Sequence, residues 1–334
     1  MMRLTAGIGA LMRHREAGNF VMIVLLAIVV GLIQPRFLTL ETLRNVMLAI
    51  PLILIAAMGQ MMVIIARHVD LSMGSILGFS AIVAGMMFRD MPDVPILIGV
   101  LVAILVGAGL GFLNGAIVTL FGLPSIIVTL GTLSLYRGFV FLISNSRQVD
   151  PQFIPRALIQ MSQTSPILGI PWLVIIAFLT ALASYLFLDH MRLGRQIYAL
   201  GSNPSAAPLR GIRVVPVTLL VFTLSGALAG LAGVMYAARF GYVNPGITGV
   251  GFEFTVIASV VIGGVSINGG VGTVLGTILG VILLGMVNVA LPLLGVSEFW
   301  QSAILGAVII VALLIDRSVR ISGQQALAAE RSAR

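Results

Sequence analysis

The chain has 334 residues, 59% hydrophobic and only 9% charged, with a formal net charge of +8 and a mean hydropathy of +1.14. That composition excludes a soluble globular protein, and continuous apolar runs of about twenty residues exclude a membrane β-barrel, whose strands alternate in polarity. All nineteen basic residues are arginine and cysteine is absent, which excludes a lysine-dependent phosphate loop, Schiff-base chemistry and cysteine redox or zinc sites.

His14, His68 and His190 are too widely spaced to suggest a metal motif. No catalytic residue and no metal ligand is assigned, because no nucleophile stands beside a base. The basic excess is that of arginines flanking membrane helices, and nucleic acid is not an expected partner.

In chain order, apolar spans are predicted at residues 19–34, 45–66, 71–88, 94–120, 124–143, 171–189, 215–240, 253–264, 271–291 and 299–316. The expected fold is all-α, a polytopic transmembrane bundle of about ten spans with interrupted helices, forming one domain over residues 1–334. The first span follows the basic stretch "RHRE" and lacks a small-residue cleavage pattern, so it reads as a retained helix with a cytoplasmic amino terminus. Threading from there puts twelve arginines inside and six outside, with Arg137 within a span. The positive-inside rule therefore supports cytoplasmic termini, a cytoplasmic loop at 190–214 and a long periplasmic loop at 144–170. Arg137 lies near the outer end of its span, where its side chain can reach toward the surface.

Polar interruptions are the candidate functional positions. "ARHVDLSMGSILG" (66–78) and "GGVSINGGVGTVLG" (263–276) both carry polar residues before a glycine and restart as G-[ST]-[IV]-L-G, at Gly74 and Gly272. Such matching breaks in two halves of a transporter point to a functional axis; alternatively they are tight turns with Asp70 as a helix cap. Asn114 sits inside an apolar run and needs partners for its amide. Asp70, Ser72, Asn114, Thr129, Thr132 and Asn268 are the expected residues lining or bracing a pathway. Thr129 and Thr132 are equally able to bond their own helix backbone.

"SNPSAAPLRGI" (202–212) is polar, turn-rich and flanked by apolar runs. Asn203 can cap a turn, Pro204 suits a first turn, Ala206 and Ala207 allow close approach, and Gly211 stops a helix.

The segments "VDLSMGS", "LNGAIVTLFGLPSIIVTLGTLSLYRG", "GRQIYALGSNPSAAPLRGI", "LSGALAGLAGVM" and "VVIGGVSINGGVGTVLGTILG" resemble the membrane permeases of ribose-type ABC sugar importers. That group carries ribose, xylose, rhamnose and the furanosyl signal autoinducer 2, and a more distant branch carries branched-chain amino acids. The resemblance implies a multi-pass permease of the bacterial inner membrane, not an enzyme, importing a neutral monosaccharide or sugar-like signal by alternating access. It implies as partners a cytoplasmic ABC ATPase, a periplasmic sugar-binding protein and a second permease, identical or related. ATP and Mg would be held by the ATPase, and no cofactor by this chain. Residues matching the family's ATPase-coupling turn are Asn203, Pro204, Ser205, Ala206, Ala207, Leu209, Arg210, Gly211 and Ile212. Ser205 replaces an acidic residue of the family pattern, and Pro208 would break an α-helix there. The alternatives are a branched-chain amino acid permease and an ion-coupled secondary transporter. The latter normally needs more membrane-embedded ionisable groups than Asp70, Arg137, Glu253 and Glu298.

Overall fold

The computed structural model describes residues 15–165, 169–297, 300, 301, 303, 304, 306, 307 and 310. The predicted span 299–316 and both termini fall largely or wholly outside these residues. Among the described residues eleven α-helices are defined: α1 Arg15–Ile33, α2 Leu40–Ile65, α3 Met73–Asp90, α4 Ile96–Phe121, α5 Ser125–Ser144, α6 Arg156–Gln163, α7 Trp172–His190, α8 Arg192–Ser202, α9 Val214–Phe240, α10 Phe252–Ile262 and α11 Val274–Leu293. Each of the first nine predicted spans coincides with a helix. Seven helices (α1, α2, α4, α5, α7, α9 and α11) are long and apolar enough to cross a membrane. The two exceptions have physical reasons. α3 ends on the charged Arg89 and Asp90, and α10 has 11 residues, a length of roughly 16 Å against a hydrocarbon core of about 30 Å.

α2 and α9 form the centre. In α2 every residue from Ala49 to Ile65 is buried, whereas α1, α4, α5 and α7 turn large apolar side chains such as Leu25, Leu105, Leu130 and Leu182 outward. Lipid is as apolar as leucine, so the outward leucines do not drive assembly; close packing does. Small residues supply it. Gly107 and Gly111 of α4 face Gly226 and Gly230 of α9, spaced four apart on each helix, and a Cβ at any of the four would run into a carbonyl of the facing helix. α9 also meets α2, where a Cβ on Gly59 would stand 2.7 Å from Ser225 Cα.

The described residues of the loop, 144–165 and 169–170, are structured. Its α6 packs against the bundle through buried Leu158, Val149 pairs with Val243 through two backbone hydrogen bonds of 2.9 and 3.1 Å, and Arg44 donates to the Gln163 carbonyl at 2.9 Å.

The glycine contact yields a direct test. Gly226→Leu should push α4 from α9 and destabilise the chain by about 1–3 kcal/mol or more. Gly109→Ala, on α4 with nothing within 4 Å of the added atom, should leave stability unchanged. Thermal unfolding of the two variants in detergent checks the contrast, and equal stability would contradict it.

Candidate functional site

The first break follows α2. The chain turns left-handed at Arg67, with φ of 70°, and the His68 amide returns to the Val63 carbonyl at 3.0 Å, which closes the helix end. Asp70 does not cap α3. Its Oδ1 accepts from the Ser72 amide at 2.9 Å and from the Ser72 hydroxyl at 2.7 Å, a local turn held by the aspartate itself. Ser72 Oγ in turn accepts from Asn114 Nδ2 of α4 at 2.7 Å. The Tyr136 hydroxyl of α5 lies 3.0 Å from both Asn114 Oδ1 and the Leu110 carbonyl.

The backbone of the break is held as well. The Val69 amide donates to Ser125 Oγ at 3.1 Å, and Thr129 Oγ1 donates to the Ser125 carbonyl at 2.8 Å and lies 3.2 Å from the Val69 carbonyl. With its nitrogen toward the Asp70 carbonyl, the Gln60 amide spans both Asp70 backbone groups at 3.3 Å. Thr132 is buried one turn further along α5, with its hydroxyl 3.4 Å from the Thr129 carbonyl. Thus Asp70, Ser72, Asn114, Thr129 and Thr132 share one buried region, where they join α2, α4 and α5 to the break. Asp70 Oδ2 is left without a partner among the described residues.

The second break, residues 263–273, is built differently. Asn268 is exposed and lies apart from the buried network, its amide 3.3 Å from Ser266 Oγ. Two residues on, the Gly270 amide donates to the Ile65 carbonyl at 2.9 Å, satisfying an acceptor stranded at the end of α2. α8 closes the junction. A Cβ on Gly201 would run into the Ile65 carbonyl and would stand 2.6 Å from the Gly270 amide nitrogen, and a Cβ on Gly269 would stand 2.9 Å from Arg67 Cβ. The Tyr198 hydroxyl donates to the Gly272 carbonyl at 2.9 Å. Burial pushes that hydroxyl up to about 12, so it remains a protonated donor. From α1, Asn19 donates to the Ile262 carbonyl at 2.8 Å and Glu16 accepts from the Thr273 hydroxyl at 2.7 Å. The last residues of α8 therefore touch both breaks.

The segment 203–212 continues from α8. Asn203 caps it, with Oδ1 accepting from the Ala206 amide at 3.0 Å and its carbonyl from the Ala207 amide at 3.0 Å. Pro208–Arg210 is a 3-10 turn ended by Gly211 at φ of 76°, so Pro208 does open a short turn in place of a continuous α-helix. Ala207 is buried in its own chain, and its carbonyl accepts from the Ile212 amide at 3.2 Å. Leu209 is 88% exposed at the tip, flanked by exposed Ser205, Arg210 and Gly211. The exposed face of the turn is Leu209 and its neighbours, whereas Ala207 belongs to the turn's own packing.

Arg137 also departs from expectation. It donates to the Thr248 carbonyl at 2.8 Å, inward across the bundle, instead of reaching to the surface. Tyr136, Ser125 and Gln60 had no assigned role. Ser125, Thr129, Thr132 and Tyr136 recur at i, i+4, i+7 and i+11, one face of a helix, and that periodicity was the signal available.

If the network braces the break, Asn114→Ala should destabilise the chain by about 1–3 kcal/mol, because Ser72 and Tyr136 each lose a buried partner. Asn114→Asp should cost more, since it brings a second carboxyl toward Asp70. Tyr136→Phe should cost least, its lost bond being shared with a carbonyl. Unfolding midpoints of the three variants test that order; no loss with Asn114→Ala would contradict it.

Comparison with known proteins adds to this geometry. Residues 42–313 match the family described as "Branched-chain amino acid transport system / permease component". The chain is 33% identical to the "Autoinducer 2 import system permease protein LsrC" of Yersinia enterocolitica over 100% of its own length and 91% of that protein. It is 34% identical to the protein of that name from Salmonella typhi, with 96% and 91% covered, and 33% identical to that of an Escherichia coli strain, with 96% and 92% covered. No solved structure matches. The two helix breaks, the turn tied to them and a match across most of the chain lead to one conclusion: this chain belongs to the branched-chain amino acid transport system permease family of ABC importers, and is a transport subunit and not an enzyme.

Proposed function

We propose that the chain is the permease subunit of an ATP-driven importer that carries a neutral monosaccharide or sugar-like signal, of the furanosyl autoinducer 2 kind, across the bacterial inner membrane. The observation that carries this reading is similarity over the whole chain to permeases named for autoinducer 2 import. In the working complex the chain spans the membrane about ten times with both termini cytoplasmic, and pairs with a second permease, identical or related. A periplasmic binding protein delivers the solute to the outer face, where residues 144–170 lie. A cytoplasmic ABC ATPase, holding ATP and Mg, docks on residues 190–214.

The mechanism is conformational. ATP-driven closure of the ATPase moves the turn at 203–212, and Gly201 and Tyr198 pass that movement to the end of α2 and to the second break just before α11, which changes the access of the pathway between the two faces. Asp70, Ser72, Asn114, Thr129 and Thr132 keep the first break rigid during the movement, and Asn268 rides on the second. Chemistry in the sense of bond making belongs to the ATPase.

Leu209 is the expected anchor in the ATPase groove. Replacing it by Asp puts an unpaired carboxylate into an apolar contact and should cost several kcal/mol of association, while Arg210→Ala should cost about 0–1 kcal/mol if its ion pair is exposed. Co-purification of the ATPase with each variant, together with ATP-dependent uptake of autoinducer 2, ribose and leucine by the reconstituted complex, tests both parts. Intact association of Leu209→Asp would refute the docking assignment. Uptake of leucine alone would replace the sugar reading by the amino acid one.

A further inference from the structure

Residues 241–251 connect α9 to α10 without forming a helix, and two contacts fix how deeply the stretch 244–251 enters the bundle. Arg137, which holds the Thr248 carbonyl, is seven residues from the end of α5, roughly 10 Å along a helix of roughly 30 Å. Gly249 packs backbone to backbone on Gly74 in the first turn of α3, roughly 24 Å along that helix from Asp90. This stretch lies at membrane depth.

Irregular backbone at such depth is tolerated where protein covers it or where it lines a water-filled cavity, because its polar groups have no partner in hydrocarbon. Here Ile247 and Val250 are exposed. The amides of Gly249 and Gly251 have no hydrogen-bond partner among the described residues. Beside them runs a groove of about 200 Å³ lined by Leu77, Tyr236, residues 249–252 and Thr255. It combines an aromatic ring, a hydroxyl and the free backbone donor of Gly251, with no charged side chain in its lining; Leu77 and Gly249 form its buried floor.

We propose that this groove is a solute-contact site on the translocation pathway, suited to a neutral polyol. Hydroxyl oxygens of the solute accept from the Gly251 amide, Thr255 adds a hydroxyl contact, and Tyr236 covers the C–H face. The ligand class rests on the importer reading above; the wetness of the groove does not.

The chain contains no cysteine, so single cysteines report on the native background. Val250→Cys and Ile247→Cys are placed separately in the assembled complex in membranes and exposed to a charged thiol reagent, with Leu105→Cys on the outward face of α4 as the lipid control. Both groove positions should react at least tenfold faster than the control, and saturating autoinducer 2 or ribose should slow the reaction. Thr255→Val should raise the half-saturating solute concentration for uptake several-fold without loss of assembly. Groove cysteines as inert as Leu105→Cys, whether covered by a second copy or by lipid, overturn the site. Fast labelling that neither solute slows overturns the polyol assignment. A complex that imports neither solute yet labels rapidly refutes the importer reading and leaves the wet groove standing.

Discussion

A helix interrupted inside a bilayer exposes amides and carbonyls that water cannot reach, and every such group must find a partner within the protein. The organisation of this permease follows from how two interruptions meet that demand. After α2, the serine and threonine of α5 bind the Val69 backbone and Gln60 spans Asp70. After α10, the Gly270 amide takes the Ile65 carbonyl. The first break is satisfied largely by side chains, and the second by the Ile65 carbonyl together with the side chains of Asn19 and Tyr198, so the two breaks are tied at the end of α2.

That dependence explains the glycines. Three chain segments converge on the Ile65 carbonyl, and Gly201 and Gly270 leave room for the approach that a Cβ would block. Along α4 and α9 the same device serves a different end, bringing two whole helices into backbone contact. Glycine thus sets both the static core and the junction that ties α8 to the end of α2 and to the second break. Leu209 stands exposed at the end of the capped turn that follows, and the proposed docking of the ATPase begins there.

Much of this could be read from the residues. Apolar run length located the helices, and the recurrence of G-[ST]-[IV]-L-G marked both breaks. Asn203 and Gly211 were legible as cap and stop because their chemistry is local. What failed was long-range. Asp70 and Asn268 look equivalent in the repeat, yet one is sealed by α4 and α5 and the other stands exposed, a difference made by neighbours far away in sequence. Ala207 looked open to close approach by another chain, yet its side chain is buried within its own. The shortness of α10 was legible, since the predicted run 253–264 is nearly as short as the 11-residue helix; the residues alone did not show that so short a run falls below the length needed to cross.

The central claim is that the coupling turn, the end of α2 and the second break form one mechanical body. Spin labels at Arg67→Cys and Asn268→Cys, both exposed and on opposite sides of the Ile65 and Gly270 hydrogen bond, measure it directly by dipolar broadening of the continuous-wave spectrum, which reads such short separations, in the complex with its ATPase. The account predicts the same narrow distance distribution in the nucleotide-free and ATP-trapped states. A shift of several ångströms between those states, or a second resolved distance in one of them, would contradict it.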